Sequence, residues 1–334
     1  MKAMSLSNAS SVHNNPLTLV EKPVQKLGEY EVRIKIHVCG VCRTDLHIVE
    51  GDLPFPKLPI IPGHQIVGTI DAIGNKVTNF NTGDRVGVPW MSSTCGECPF
   101  CSSQHENLCD SAQFTGLHID GGYAEFTVVP QQFVYPLPED FPDEQIAPLL
   151  CAGIIGYRTL KQSRFQPGQR IGLYGFGASA HVTIQVAKHF GCDVYVFTRS
   201  TDHQKHAEEL GATWIGTAEE DPGANMDASL VFAPVGWLMV EALKRTRKGG
   251  AVVSAGIHMT DIPEFPYRHL YGERTLTSAS NATYEDGTEL LTLAVEIPIK
   301  TDVKIYSLQD VNIALQDLKG SQFKGAAVLR VRRI

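Results

Sequence analysis

A glycine-containing turn between an apolar run and a helical pattern limits the folds open to this chain more than any other feature. Residues 170–174 (RIGLY) favour a short strand, and residues 178–190 (ASAHVTIQVAKHF) favour a helix. Gly175 and Gly177 lie between these two segments, and Ala180 lies in the second one, which gives the pattern G-x-G-x-x-A. This arrangement presents a helix N-terminus to a phosphate group and is typical of dinucleotide binding. The sequence therefore predicts a cofactor loop in which Gly175 permits the tight turn, Gly177 admits the pyrophosphate and Ala180 keeps helix and strand close.

The residues that follow continue to alternate between strand and helix patterns. Strands are predicted over 193–198, 229–233 and 251–255, and helices over 202–210 and 237–245. Because strands separated by helices form βαβ units, this region predicts a doubly wound parallel sheet of the Rossmann type.

The first 150 residues have a different pattern. Short strands are predicted over 30–39, 66–73, 85–89 and 123–129, separated by turn residues, which indicates a β-rich, loop-rich domain. The C-terminal GAAVLRVRR indicates a last strand that could return to this domain. The expected division is therefore 1–152 with 286–334 for one domain and 153–285 for the dinucleotide-binding domain.

Length and charge exclude several function classes. A chain of 334 residues is long enough for two domains, and a net charge of -7 argues against a broad nucleic-acid surface. No apolar stretch approaches the roughly 20 residues that span a bilayer, and MKAMSLSNAS lacks the apolar core of a secretory signal. We expect a cytoplasmic protein with neither nucleic-acid nor membrane partners. Its eight cysteines should be reduced there and available for metal binding or catalysis.

Half of the cysteines lie in one segment, CGECPFCSSQHENLC. Cys95, Cys98, Cys101 and Cys109 have the spacing C-x2-C-x2-C-x7-C. Four thiolates can complete a tetrahedral zinc shell with no open position, which makes a structural site. Unrelated surface cysteines and an iron–sulfur cluster are the alternatives, and the second also uses four cysteines.

Three further residues suit a catalytic metal, although each alone is a weak signal. Cys42 follows a strand in CGVCRTDLH, His64 lies in IPGHQ, and Cys151 lies in PLLCAG. Two cysteines and one histidine form a known catalytic zinc set with a fourth position open. A lone cysteine is more often a buried small hydrophobe, and Cys39 and Cys192 are interpreted in that way.

The ordered set G-x-C-R-T-D-L-H, P-G-H, C-x2-C-x2-C-x7-C and C-A-G resembles the zinc-containing medium-chain alcohol dehydrogenases over essentially the whole chain. It is most similar to their shorter microbial branch, which tends to be tetrameric. The resemblance implies a β-rich GroES-like catalytic domain beside the Rossmann domain. It also implies two zinc ions per chain, a catalytic one on Cys42, His64 and Cys151 and a structural one on the four clustered cysteines.

The resemblance implies roles for several neighbouring residues. Thr44 is similar to the hydroxyl that contacts the zinc-bound alcohol, and His47 to the outer member of the proton relay. Asp45 is similar to the carboxylate that orients the ligand histidine. Arg43 is similar to a residue that contacts the pyrophosphate, and Trp90 to one that lines the substrate pocket. Without the resemblance, Thr44 and Asp45 are equally explained as a helix N-cap, and Trp90 as a core side chain.

Two positions depart from the family pattern. The family usually has Glu after the ligand histidine, where this chain has Gln65, which removes one negative charge near the metal. It often has Thr four residues after the third ligand, where this chain has Ile155. The wall against the nicotinamide is therefore expected to be apolar.

The end of the second cofactor strand favours NADP(H) over NAD(H). An NAD enzyme places Asp or Glu there against the ribose 2′-hydroxyl. This chain instead has Thr198, Arg199 and Ser200, which can pair with or donate to a 2′-phosphate. Asp193 and Asp202 lie nearby and could reach a ribose, so NAD(H) stays possible.

The sequence therefore predicts a homo-oligomeric alcohol dehydrogenase or aldehyde reductase that acts on a small primary alcohol, aliphatic or aromatic, or its aldehyde. Zinc stabilises the alkoxide, the proton leaves through Thr44 and His47, and hydride passes to the nicotinamide. A zinc polyol dehydrogenase is a weaker alternative because those enzymes often replace one catalytic cysteine with a carboxylate. A non-catalytic NADPH-binding protein that retains the fold is the other alternative.

Overall fold

The chain forms two compact units in a computed structural model that describes residues 1–53, 58–297 and 299–331. The first unit comprises Met1–Cys151, Thr283–Leu291 and Thr301–Ile334, and the second comprises Ala152–Ala282 and Thr292–Lys300. The sequence places all of 286–334 in the first domain, whereas the structure assigns Thr292–Lys300 to the second unit.

The first unit begins with strands and a few short helices. Its elements up to residue 151 are β1 (Lys2–Leu6), β2 (Leu17–Glu21), β3 (Glu31–Val41), α1 (Arg43–Glu50), β4 (Ile66–Ile73), β5 (Arg85–Val88), β6 (Met91–Ser93), α2 (Pro99–Ser102), β7 (Gln113–Phe114), β8 (Phe126–Pro130), β9 (Tyr135–Pro136) and α3 (Asp143–Ile146).

Strands and longer helices alternate in the rest of the chain. The elements are α4 (Ala152–Gln162), β10 (Arg170–Tyr174), α5 (Ala178–His189), β11 (Asp193–Phe197), α6 (Thr201–Glu209), β12 (Trp214–Gly216), β13 (Met226–Val231), α7 (Trp237–Arg245), β14 (Thr246–Ser254), β15 (Thr275–Ser278), α8 (Tyr284–Glu296), β16 (Val303–Ser307), α9 (Val311–Lys319) and β17 (Ala326–Arg330). None of the described helices combines the length and apolar character that crossing a bilayer would require.

A mixed sheet forms the frame of the first unit. Its strand order is β16-β17-β3-β4-β5-β9, and β8 also pairs with β3. Val32, Ile34 and Ile36 on β3 are fully buried, as the alternation of apolar residues requires for one face of a sheet. The pairing of β17 with β3 is antiparallel, so the last described strand returns to the first unit, as the sequence predicts.

A six-stranded parallel sheet forms the second unit, in the order β12-β11-β10-β13-β14-β15. Counted from β10, this is the order 3-2-1-4-5-6 of the Rossmann fold, which confirms the predicted fold class. The direction of winding reverses between β10 and β13, and in such sheets ligands bind at the carboxyl ends of the strands at that point. The G-x-G-x-x-A turn follows β10 directly.

Most predicted elements overlap with those of the structure, but three strand starts differ. The strands predicted from residues 229 and 251 begin earlier, at Met226 and Thr246, because these two residues already pair with each other in the sheet. Strands over 66–73 and 170–174 occur with the predicted bounds. The strand predicted from residue 123 begins only at Phe126, because the segment before it pairs with a loop instead. The N–H groups of Gly121 and Tyr123 donate to the carbonyls of Ile61 and Pro62, at 2.7 and 3.0 Å. This segment therefore holds the loop that carries His64.

Candidate functional site

Cys42 lies at the junction between β3 and α1. It is the N-cap of α1, and its backbone is extended. The carboxylate of Asp45, at the third helical position, accepts the Cys42 N–H at 2.9 Å. The helix start predicted around Thr44 and Asp45 is thus real, but its cap is Cys42. The capping arrangement fixes the backbone of Cys42 at the start of α1.

His64 enters the same site from the loop before β4. The preceding Gly63 has φ +96°, and a Cβ there would come within 2.5 Å of the Tyr123 ring, so this loop conformation requires glycine. His64 is fully buried, and its Nδ1 lies 3.0 Å from Oδ1 of Asp45. Asp45 therefore caps α1 with one oxygen and orients the imidazole with the other.

Residues distant in sequence bring three donor atoms together. His64 Nε2 lies 3.2 Å from Cys42 Sγ and 3.3 Å from Cys151 Sγ, and the two sulfurs are 4.0 Å apart. Tetrahedral zinc with Zn–S about 2.3 Å and Zn–N about 2.05 Å would separate its ligands by roughly 3.6–3.8 Å. The arrangement fits a metal ion with three protein ligands and one further position.

The pKa shifts of His64 and Cys42 indicate that a positive charge would stabilise this group of donors. Burial lowers the pKa of His64, but Asp45 and the Cys42 sulfur outweigh it and raise the pKa to about 10. The pKa of the Cys42 thiol is raised by its hydrogen bond with Cys151, by burial and by the charge of Cys151. Two thiolates and a carboxylate are therefore stable side by side only with a cation among them, and a divalent metal supplies it.

The four clustered cysteines form a second group of donors. Cys101 Sγ lies 3.9 Å from that of Cys95 and 3.5 Å from that of Cys98, and Cys109 lies 3.6 Å from Cys95. The backbone N–H groups of Glu97 and Cys98 are the largest contributors to lowering the pKa of the Cys95 thiol, to about 7. Four sulfurs at these separations suit a closed tetrahedral site.

The residues of the predicted relay lie on α1. Thr44 is half-buried and His47 is buried, and the two are three positions apart on the helix. His47 Nδ1 lies 2.7 Å from Oδ2 of Asp52, whose side chain is 41% exposed. Asp52 was not predicted as a site residue. Its position directly after Gly51, which ends α1, is the only sequence signal for it.

The other four residues that the sequence predicts near the metal ligands lie in different segments of the chain. Arg43 is exposed at the first position of α1. Trp90 is buried, and its ring centroid lies 4.9 Å from that of His64. Gln65 is buried, and its side chain lies against Gly40. Ile155 is half-buried on α4.

The predicted cofactor loop has the expected backbone form. Gly175 has φ +89°, and a Cβ there would come within 2.9 Å of Ala233, so this turn requires glycine. Gly177 is the N-cap of α5, and a Cβ on it would meet nothing within 4 Å. Ala180 is fully buried on the same helix. The open space at Gly177 allows a phosphate to approach the N–H groups of the helix.

The second part of the cofactor site lies at the end of β11, which is parallel to β10 and adjacent to it. Thr198 is buried, and its N–H donates to the Gly216 carbonyl at 2.8 Å. Arg199 is exposed and half-buried Ser200 caps α6, where its Oγ accepts the His203 N–H at 3.4 Å. The Ser200 hydroxyl proton remains available to donate elsewhere.

Two family models match the chain. The model of the alcohol dehydrogenase GroES-like domain matches residues 28–139, and that of the zinc-binding dehydrogenase domain matches residues 180–296. The first matched range holds the clustered cysteines, Cys42 and His64. The second lies within residues 152–300, which include the parallel sheet.

Relatives and solved structures match over nearly the whole chain. A probable alcohol dehydrogenase of Mycobacterium tuberculosis is 42% identical over 337 residues, which covers 99% of this chain and 97% of the relative. An alcohol dehydrogenase of Geobacillus stearothermophilus is 36% identical, and the match covers 93% of this chain and 95% of that relative. The structure of a cinnamyl alcohol dehydrogenase from Sorghum bicolor superposes with a TM-score of 0.90 at 27% identity, covering 98% of this chain and 97% of that one.

Proposed function

This chain belongs to the zinc-containing medium-chain alcohol dehydrogenases, and we propose that it interconverts a primary alcohol, aliphatic or aromatic, and the matching aldehyde with NADP(H) as its preferred cofactor. The observation that carries the proposal is the assembly of Cys42, His64 and Cys151 around one point. Their donor atoms all lie within 4.8 Å of one another, although the residues are up to 109 positions apart.

Cys42, His64 and Cys151 would hold the catalytic zinc, and the four clustered cysteines would hold a structural zinc. The three-donor set leaves a fourth position for the substrate oxygen, whereas the four-cysteine set leaves none. Zinc bound at the first set supplies Lewis acidity, which makes the alcohol hydroxyl easier to deprotonate. Asp45 holds His64 in the tautomer that presents Nε2 to the metal.

The substrate proton would leave along α1. Thr44 is half-buried next to Cys42 in sequence, and its hydroxyl can accept the proton and pass one on. His47 receives it, and the carboxylate of Asp52, 2.7 Å from Nδ1, stabilises the protonated ring. Because Asp52 is partly exposed, the path ends at solvent. Asp52 therefore extends the relay that the sequence predicts.

The parallel sheet would bind the dinucleotide at its point of reversal. Gly175 and Gly177 open the N-terminus of α5 to the pyrophosphate. At the end of β11, Arg199 can pair with a 2′-phosphate, and the hydroxyls of Thr198 and Ser200 can donate to it. No carboxylate stands at these three positions to repel the phosphate. This charge distribution supports NADP(H), whose usual role favours aldehyde reduction.

The test compares the parent protein with Cys42→Ala and a matched control, Cys39→Ala. Cys39 is fully buried three residues away and is not part of the three-donor set. Turnover of benzyl alcohol, ethanol and the matching aldehydes is measured with NADP(H) and NAD(H), and zinc per chain is measured on each sample. We expect two zincs and turnover for the parent and the Cys39 variant, and one zinc without turnover for Cys42→Ala, which still binds NADPH. Near-normal turnover by Cys42→Ala would remove this residue from the metal site.

A further inference from the structure

Trp90 is held beside the catalytic group by contacts on two sides. It precedes β6 in the chain and is only 9% exposed. Its ring makes a T-shaped contact with that of His64, with centroids 4.9 Å apart and planes at 71°. This contact places the indole beside His64, one of the proposed metal ligands.

Phe114 makes a second ring contact with Trp90. The Phe114 ring stacks on the indole of Trp90 with centroids 4.8 Å apart and planes only 12° from parallel. The backbones of the two residues are tied together as well, because β6 pairs with β7 and the Thr115 N–H donates to the Trp90 carbonyl at 2.9 Å. Rings in this geometry gain attraction beyond their buried area, so the indole plane follows the Phe114 plane.

His118 holds Phe114 in its turn. The two ring centroids are 5.2 Å apart, and Nδ1 of His118 accepts the Phe114 backbone N–H at 3.1 Å. Burial lowers the pKa of His118. The ring therefore stays neutral at pH 7, and Nδ1 stays free to accept. The turn from Phe114 to His118 is thus fixed by a side chain as well as by backbone pairing.

We propose that Phe114 is a positioning residue that gives this enzyme a preference for aromatic over short aliphatic alcohols. The inference rests on the proposed function and on the position of Trp90 beside His64, where the family resemblance implies that it lines the substrate pocket. An aromatic substrate gains from a flat indole held at one angle, because no rotational freedom is lost when the two surfaces meet. Ethanol is too small to use that surface. Phe114 therefore acts on one substrate class through Trp90, without touching the reacting atoms.

The kinetic test uses Phe114→Leu, with Phe165→Leu as the matched control. Phe165 is half-buried like Phe114, but it lies in the second unit, where its ring contacts that of Phe190 with centroids 5.5 Å apart. For Phe114→Leu we expect KM for benzyl alcohol to rise about 3- to 10-fold, the range expected when substrate binding must immobilise one freed side chain. The kcat values and both constants for ethanol should stay within about twofold, since the metal ligands and relay are untouched. Phe165→Leu should lower the melting temperature and leave the ratio of kcat/KM for benzyl alcohol over ethanol unchanged.

A spectroscopic test follows the indole directly. The chain has three tryptophans, so Trp214→Phe with Trp237→Phe leaves Trp90 as the only indole. In that background, Phe114→Leu should lower the fluorescence anisotropy of Trp90, and Phe114→Tyr, which keeps the ring, should restore it together with the benzyl alcohol KM. If Phe114→Leu does not fold, Phe114→Met gives the same comparison with a longer side chain.

Different results would overturn the proposed function and the role of Phe114. A parent protein without turnover on any alcohol or aldehyde overturns the proposed function. If the parent is active but Phe114→Leu leaves the ratio of kcat/KM for benzyl alcohol over ethanol unchanged, only the role of Phe114 is overturned. A fall in melting temperature with an unchanged ratio and unchanged anisotropy also counts against it, because that result describes a packing residue.

Discussion

A single carboxylate, Asp45, interacts with two of the proposed metal ligands, Cys42 nearby in sequence and His64 further along the chain. It accepts the Cys42 N–H at the start of α1 and lies 3.0 Å from His64 Nδ1. It is fully buried, so both interactions take place without competition from water. Metal affinity should depend on this residue even though none of its atoms is a ligand.

Asp45→Asn is expected to weaken zinc binding at the three-donor site by about 10- to 100-fold, the usual effect of removing such a partner. Competition with a chromophoric chelator measures the affinity, and Asp71→Asn provides the control because Asp71 is exposed and paired with Arg33. An Asp45→Asn affinity equal to that of the parent would show that the imidazole needs no carboxylate.

A second carboxylate, Asp143, stabilises the first unit away from the metal. Its oxygens lie 2.7 Å from His37 Nδ1 and accept the Arg85 Nε–H at 2.8 Å. Burial raises its pKa, but the hydrogen bonds from His37 and Arg85 outweigh burial and lower the pKa below the ordinary value. The charged form is therefore favoured in the folded state, which makes the stabilisation dependent on pH.

Asp143→Asn is expected to reduce the free energy of unfolding by about 2 kcal/mol at pH 7, since it removes hydrogen bonds to a charged group. A depressed folded pKa contributes stability that is fully present above the unfolded pKa of about 4 and is lost as pH falls through the folded value. The unfolding free energies of parent and variant, measured in urea, should thus begin to converge as pH falls below about 4 and should meet once pH is below the folded pKa. A difference that stays constant down to pH 2 would contradict the role of the charge.

At the scale of elements, the loop from Cys95 to Cys109 has little apolar material of its own. Cys109 packs with Met91, Ala112 and Phe133, but Cys95 is exposed, and α2 has no buried residue. A loop of this kind is ordered by its metal more than by its packing. Its cysteines should therefore affect stability more than chemistry.

Cys98→Ala is expected to remove one zinc per chain and to lower the melting temperature by roughly 6 °C or more, equivalent to about 3 kcal/mol. Scanning calorimetry with zinc analysis provides the measurement, and Cys192→Ala, which removes one buried sulfur from the second unit, provides the control. If the Cys98 variant melts at the same temperature as the parent, the stability of the loop does not depend on a metal.

The turn between β11 and α6 is the proposed determinant of cofactor choice. Thr198→Asp with Arg199→Ala should shift the ratio of kcat/KM for NADP(H) over NAD(H) by at least tenfold toward NAD(H). The double variant removes a charge-assisted pair and adds a repulsion, each of about 1.5–3 kcal/mol. Lys205→Ala, which removes an exposed cation from the same helix, should leave the ratio unchanged. An unaltered ratio in the double variant would place the 2′-phosphate elsewhere.

At the scale of the whole molecule, the chain leaves the first unit after Cys151 and returns to it for two later segments. Both proposed metal groups lie in the first unit, whereas the parallel sheet of the second contains neither. Metal binding should accordingly stabilise one unit directly and not the other.

Removal of zinc with a chelator is expected to reduce hydrogen-exchange protection in residues 85–115 and around His64 while β10 and β13 stay protected. Mass spectrometry of exchanged peptides, before and after chelation and after zinc is restored, measures this. Equal loss of protection in the parallel sheet would show that the two units unfold together.

Spacing along the chain determined much of this protein. Cysteines separated by two residues can share one metal wherever the loop lies, and a G-x-G-x-x-A turn between strand and helix has one common use, because both depend on local geometry. The bounds of β4, β10 and α7 follow from apolar periodicity for the same reason. Cys42, His64 and Cys151 could be chosen only by resemblance to a family, since nothing local links them.

The tertiary structure alone decided how distant residues meet. Pairing of the Gly121–Tyr123 segment with the His64 loop shortened a predicted strand, and the return of Thr292–Lys300 to the second unit has no signature in composition. Asp52 and Phe114 acquire their proposed roles from a contact with one neighbouring side chain each, at 2.7 Å and 4.8 Å. A pattern in one dimension records which residues can bury or bind, but the distance between two side chains is set by the packing of the elements that carry them.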